Sequence, residues 1–382
     1  MATQVTYAPC TEYTPQVCRE ALLQALQPLG GLDWVSAGMR IGIKANLVSA
    51  MEPQKAATTH PVLLAELTKL LRERGASVVI GDSPGGLYQA ALLERTYRLC
   101  GLQLAQEAGA ELNSDFSQKE AAFPEGQVLR SFTYTGWLDS CDVIINFCKL
   151  KTHGMLGMTC AVKNFFGTIP GTMKPEYHFR FPDAMDFASM LVDLQQYWKP
   201  RLHLVDAVVA MEGNGPTAGT PRPMGLLLAS DNPYALDEVC AGLMGLGEDR
   251  VLTQKAARMR GLIPAAISVP AELTQFAAAD FVLPPVRSTL FRSLLPGKAG
   301  ELLGKAVEQA LAPRPVLRGS CIGCGKCAAV CPAKAIAMKR KRPVIDRSRC
   351  IRCFCCQEFC PAGALQAVRP PVARLLTGKK NP

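Results

Sequence analysis

Histidine is scarce in this sequence: four residues in 382, at positions 60, 153, 178 and 203. They stand too far apart to form a histidine metal-ligand motif. No apolar run is long enough to span a bilayer, so no transmembrane segment is expected. The start, Met-Ala-Thr-Gln-Val-Thr-Tyr, has neither a charged n-region nor an apolar h-region, which argues against a secretory signal. A P-loop is missing. Gly213-x-Gly215-x-x-x-Gly219 has the wrong spacing for a dinucleotide loop and contains Pro216. Acids are nearly absent from one end, since residues 314–382 set fifteen Lys/Arg against Asp346 and Glu358, a net +13. The other 313 residues therefore carry −3 of the chain's +10. Aromatic residues able to stack bases are sparse in that basic end, so nucleic acid is not the expected partner.

Cysteine, by contrast, is plentiful and concentrated. Nine of the sixteen lie between residues 321 and 360. Cys321, Cys324, Cys327 and Cys331-Pro332 follow the pattern Cys-x2-Cys-x2-Cys-x3-Cys-Pro, and Cys350, Cys353, Cys356 and Cys360-Pro361 repeat it. Three cysteines in one tight run can wrap three irons of a four-iron cube. In two-cluster ferredoxins the fourth ligand comes from the other half. The spacing thus implies two [4Fe–4S] clusters, one on Cys321, Cys324, Cys327 and Cys360, the other on Cys350, Cys353, Cys356 and Cys331. The flanks repeat too, Cys-Pro-Ala-Lys-Ala-Ile against Cys-Pro-Ala-Gly-Ala-Leu, as a duplicated fold with crossed ligation requires. A zinc ribbon or a disulfide staple would explain the cysteines less well. Cys355 falls outside the spacing and is not expected to be a ligand. So many cysteines without a secretory signal point to a reducing cytoplasm. Cations near anionic clusters raise their potential, and Lys339-Arg340-Lys341-Arg342 would also steer an acidic redox partner, electron donor or acceptor.

Ahead of these motifs the pattern is α/β. Apolar runs at Val5–Tyr7, Met39–Lys44, Ala76–Ile80, Asp142–Phe147, Leu202–Val205 and Met224–Ala229 read as strands. Helical periodicity appears over about 15–29, from Thr59 (the expected cap) to Gly75, over 87–112, over Asp183–Tyr197 and from Asp231 to about Gly245. Residues 113–136 have some β character. Strand, helix and strand at this spacing imply a mainly parallel sheet flanked by helices. The expected division is an α/β domain over 1–285, a connector over 286–313, a small α+β ferredoxin-like domain over 314–370 and a basic tail over 371–382.

Five strand ends carry polar residues: Lys44 and Asn46; Asp82 and Ser83; Lys149, Lys151 and His153; Asp206, with Glu212 and Asn214 beyond it; and Asp231 with Asn232. Ligands of parallel sheets bind outside the carboxyl ends of the strands, so these residues outline a cleft. Its lysines suit an anionic small molecule. Lys149, Lys151 and His153 alternate, which on an extended chain sends them to one side. His153, with an ordinary pKa near neutrality, is the natural acid, with Lys151 beside it. The cleft is expected to be solvent-lined.

Ile43-Lys44-Ala45-Asn46, Asn146–Gly154, Lys163-Asn164-Phe165-Phe166-Gly167, Glu212-Gly213-Asn214-Gly215-Pro216 and Pro233–Asp237 resemble the family known as domain of unknown function 362. The likeness covers roughly residues 5–245, and members commonly carry a two-cluster ferredoxin module at the C-terminus. It implies an iron–sulfur protein and names no substrate. Joined to the cleft, it raises the expectation of a ferredoxin-type oxidoreductase, with a non-catalytic electron-transfer or partner-binding module as the alternative.

Overall fold

The structure is a computed structural model that describes residues 2–284, 307 and 310–370. Most of the expected connector 286–313 and all of the expected tail 371–382 lie outside the described residues. The chain begins with β1 (Thr3–Gln4) and β2 (Thr6–Pro9). Helix Pro15–Leu26 follows and buries Cys18, Leu22, Ala25 and Leu26. Next, β3 (Arg40–Lys44), helix Pro61–Glu73 and β4 (Ser77–Gly81) form the expected crossover, with Ile41 beside Val78 and Ile43 beside Ile80 in parallel. The helix buries Leu63, Leu64, Leu67, Leu70 and Leu71, each worth about 1.5–3 kcal/mol. Its cap is His60, not Thr59: His60 Nδ1 accepts from Val62 N, while the Thr59 hydroxyl is drawn to Phe147 O at 2.8 Å.

The span expected to be one helix over 87–112 is two, Ala90–Leu99 and Gln103–Glu107, before β5 (Glu111–Leu112). A hairpin of β6 (Gln118–Ala122) and β7 (Ser131–Thr135) accounts for the β character of 113–136. Then come β8 (Val143–His153), β9 (Gly157–Thr159), β10 (Leu202–Glu212), β11 (Thr220–Ser230) and β12 (Ile267–Ser268), which pairs with β1. The main sheet has eight strands, in the order β2-β11-β10-β8-β3-β4-β5, with β9 folded back on β8. From β10 to β5 it is parallel; β11 and β2 form an antiparallel edge. Helices cover both faces. β4 sends Val78 and Ile80 to one side and Val79 to the other, each into a buried cluster. Burial on two faces is why these strands read as continuous apolar runs.

Two strands run further than their apolar stretches. β8 continues past Phe147 to His153, and β10 past Val205 to Glu212. Their polar residues stay in the ladder because buried partners satisfy them. The C-terminal unit pairs β13 (Arg314–Leu317) with β16 (Leu365–Val368), and β14 (Ile336–Lys339) with β15 (Arg342–Ile345). Short helices Lys326–Ala329 and Cys355–Glu358 lie between them. Arg340 and Lys341 make the β14–β15 turn with φ of 47° and 61°, the mirror-image geometry favoured in tight hairpins.

Candidate functional site

Each cysteine run, with its short helix, winds around a cavity. Cys321, Cys324, Cys327 and Cys360 line one cavity, together with Leu317, Ile322 and Met338. Cys331, Cys350, Cys353 and Cys356 line the other, with Phe354 and Cys355. Each quartet thus takes three cysteines from one run and one from the other. Backbone amides approach the sulfurs: Ala335 N donates to Cys331 Sγ at 3.2 Å, Ala364 N to Cys360 Sγ at 3.3 Å and Gly323 N to Cys321 Sγ at 3.4 Å. Such donors favour thiolates. Among the described residues no three ligating groups close on a single-ion site. The sulfurs ring a cavity instead, as a cage of four irons requires, and the residues present fit that group.

The second concentration of chemistry lies at the carboxyl edge of the sheet. Lys44 ends β3 with its ammonium 2.8 Å from Asp82 Oδ1, fully buried. Gly167 permits this pairing, because a Cβ there would stand 2.0 Å from the same oxygen. Asp82 Oδ2 accepts from Leu47 N at 2.6 Å. Lys151 Nζ donates to Asn46 Oδ1 at 2.6 Å and to Ala57 O, both neutral. Asn46 in turn donates to Asn164 Oδ1 at 2.8 Å. His153 Nδ1 accepts from Met155 N and Leu156 N, each at 3.2 Å, so its proton belongs on Nε2. That atom stands 2.9 Å from Glu358 Oε1, within ion-pair reach.

Three further residues close the chamber. Lys163 rides on the turn Ala161–Asn164, which Asp237 holds by accepting from Ala161 N at 2.7 Å and Val162 N at 3.2 Å. Lys174 and His178 come from helix Lys174–Arg180. Lys174 donates to Ser83 O, and His178 stacks on Phe187 at 4.2 Å. Buried His178 Nδ1 and Ser83 Oγ have no hydrogen-bond partner among the described residues.

The electrostatics follow from this crowding. Burial and the charge of Lys163 push Lys151 well below its ordinary pKa. Burial, partly offset by Asp82, brings Lys174 down to about 8. Burial and Lys163 lower His153 too, against the pull of Glu358. For Glu358 burial works the other way, yet Lys163, His153 and His178 prevail and hold the carboxyl well below its usual range.

The chamber's outer wall is the ferredoxin-like unit itself. Gln357 Nε2 donates to Asn214 Oδ1 at 2.8 Å and to Gly215 O at 3.1 Å. Thr217 Oγ1 donates to Glu358 O at 3.3 Å. Phe359 lies on Gly85, where a Cβ would meet its ring at 2.6 Å. Phe354 and Ala367 join the body's own apolar cluster.

Of the residues read from the sequence, Lys44, Asn46, Asp82, Ser83, Lys151 and His153 come together. Lys149 and Asp206 form a separate buried pair at 2.8 Å, with Tyr13 OH bonded to both. Glu212 turns away to accept from Val282 N, and Asn214 serves the contact with Gln357. The alternation along β8 holds, with Cys148 and Leu150 on the opposite face. The cleft, however, is not solvent-lined: Lys44, Lys149, Lys151 and His153 are at most 1% exposed. Lys163, Lys174, His178 and Glu358 escaped notice as site residues. A signal existed for the last, one of two acids in a segment of fifteen bases.

The α/β body thus joins an iron–sulfur module, and residues 316–361 match the 4Fe-4S dicluster domain. Residues 41–242 match the model described as "Domain of unknown function (DUF362)", and the chain belongs to that family. It is 32% identical over 289 residues to a thylakoid-associated protein of Synechocystis sp., covering 71% of this chain and 88% of that protein. Among solved structures it is similar to the lactate racemase apoprotein of Thermoanaerobacterium thermosaccharolyticum (11% identity, TM-score 0.40), over 64% of this chain and 57% of that one. It is also similar to a Thermotoga maritima protein (12% identity, TM-score 0.37), over 61% and 59%. The chain therefore spans less than two thirds of either solved structure. Among the described residues no helix is long and apolar enough to cross a membrane.

Proposed function

We propose that this protein is a ferredoxin-type oxidoreductase, whose C-terminal unit serves a site for an anionic small molecule in the α/β body. The observation that carries the reading is the seating of the Cys355–Glu358 helix. It starts two residues after Cys353, and its last residue reaches His153 in the lysine-rich chamber. Two [4Fe–4S] clusters are proposed, on Cys321, Cys324, Cys327 and Cys360 and on Cys331, Cys350, Cys353 and Cys356; the two cavities and the amide donors support this. Bound there, such clusters supply single electrons. The chain's own residues do the rest. Lys151, Lys163 and Lys174 offset the charge of the ligand, the packed wall excludes water, and His153 presents the proton on Nε2. A reducing compartment such as the cytoplasm suits the sixteen unpaired cysteines.

The test is anaerobic purification followed by iron analysis and mass spectrometry of retained small molecules. About eight irons per chain are expected, with an anion whose addition changes the oxidation state of the clusters. Full iron with no retained anion, and no response to added anions, would reduce the protein to an electron-transfer module.

A further inference from the structure

We infer that Glu358 occupies the place of a ligand carboxylate, so that the chamber takes a small carboxylate and the ferredoxin-like unit must yield this position when the ligand binds. The inference rests on the proposed anion chamber and adds which anion enters and what moves.

Charge balance leads to it first. Lys44 and Lys149 have closed pairs with Asp82 and Asp206. Among the described residues, the side chains of Lys151 and Lys174 hydrogen-bond only neutral oxygens, and Lys163 Nζ has no hydrogen bond. The body therefore brings three lysines to this point without a carboxylate of its own for them. Glu358 is the carboxylate that arrives from outside, out of a unit that is otherwise basic. Lys151 is fully buried and Lys163 and Lys174 are half-buried; buried charge is tolerated only when paired, so a chamber built this way expects an acid to enter it.

Unused polar groups lead to it second. Ser83 Oγ and His178 Nδ1 are buried and, among the described residues, unpartnered while Glu358 is seated. One carboxylate leaves both without a partner among the described residues, which suits a ligand larger than a single carboxylate. A carboxylate is preferred to phosphate because one already stands 2.9 Å from His153 Nε2.

Mobility comes third. The helix carrying Glu358 is a single turn, held to the body by the Gln357 and Thr217 hydrogen bonds and by Phe359 on Gly85. Gln357 Oε1 is itself unpartnered among the described residues. A ligand that expels Glu358 would loosen this turn, and by reciprocity a seated turn would weaken the ligand by the same factor.

The experiment uses the full chain with its clusters, kept anaerobic, and succinate, acetate and inorganic phosphate as probes. Binding is read by calorimetry and motion by hydrogen exchange over residues 354–360. Succinate should bind the parent in preference to phosphate and raise exchange in that segment. E358Q, which keeps the shape and loses the charge, should bind succinate about ten- to a hundredfold more tightly at unchanged iron content. E358A should bind acetate more tightly by a similar factor, with no further rise in exchange. Succinate binding to the parent without a change over 354–360, or no gain in E358Q, would overturn the inference. A preference for phosphate would overturn it too, yet leave the anion chamber standing. No binding by any of the three proteins would overturn both readings.

Discussion

Lys149 has its ammonium 2.8 Å from Asp206 and 2.8 Å from the Tyr13 hydroxyl, with almost none of its side chain in contact with water. Burying two charges is costly, and their attraction repays the cost only in good geometry with further hydrogen bonds. Asp206 has those, from Tyr13 OH and His60 N at 2.8 and 3.0 Å. Deleting one partner strands the other. Lys149→Met should therefore lower unfolding stability by about 3–5 kcal/mol in urea titrations. Adding Asp206→Leu should recover much of that loss; a double variant as unstable as the single one would show that the charges are not coupled. Lys151 is a different case, because its partners Asn46 Oδ1 and Ala57 O are neutral. Lys151→Met strands no carboxylate and keeps the volume, so the protein should stay folded. Affinity for the anion should fall about ten- to a hundredfold, the worth of one charge-assisted contact. Calorimetry beside a thermal melt separates the two effects.

At the scale of elements, the two cysteine-bearing loops are nearly copies, yet their surroundings differ. Cys355 is buried beside the second cavity, whereas Cys360 crosses over to line the first. Cys355→Ser should leave iron content nearly unchanged. Cys360→Ser should remove roughly half of it, as expected if one of two clusters is lost; equal losses would mean that the ligands are misassigned. The first cavity also opens to solvent, with Ile322 68% exposed and Cys324 exposed. The β14–β15 turn lies close by, since Lys341 abuts Gly323. An acidic electron carrier would be steered to this face. Arg340→Glu with Lys341→Glu should slow its reaction about tenfold or more at low ionic strength and little at high salt. Stopped-flow reduction across a salt series reads this directly. These loops were legible because ligand spacing is a local property of the chain. The β8 and β10 extensions were not, because polarity at Lys149 and Asp206 resembles a loop until each residue is seen to be the other's partner.

Across the whole molecule, the parallel sheet and its helices could be read from periodicity, and so could Lys44, Asn46, Asp82 and Lys151 at its carboxyl edge. The closure of that edge could not. It depends on Glu358 meeting His153 and on Phe359 meeting Gly85, contacts between segments some 200 residues or more apart that no local pattern records. The same burial governs how the molecule responds to acid. His153, His178 and His203 are packed away from water and His60 is half-buried, and burial favours the neutral ring at each. Burial is the largest cause at each, bringing His60 to about 4 and His178 and His203 to about 3, and lowering His153 with help from Lys163. An unfolded chain would bind protons at these rings below about pH 6.5. Between pH 6.5 and about 4 the unfolded state therefore holds more protons than the folded one, and stability must fall as pH falls. Each ring adds up to about 1.4 kcal/mol per pH unit to that slope. His203 isolates the effect. It lies outside the chamber, and among the described residues its ring hydrogen-bonds to Asn146 Nδ2 alone, at 3.0 Å, to which a glutamine oxygen could offer the same acceptor. His203→Gln should thus flatten the pH dependence by about one proton between pH 6.5 and 5, with little change at pH 8. Urea titrations of parent and variant at matched pH give the difference, and any acid sensitivity of the cysteine sites cancels between them. Parallel stability curves for the two proteins below pH 6.5 would mean that His203 takes up its proton without unfolding, and that the interior around it is wetter than its burial implies.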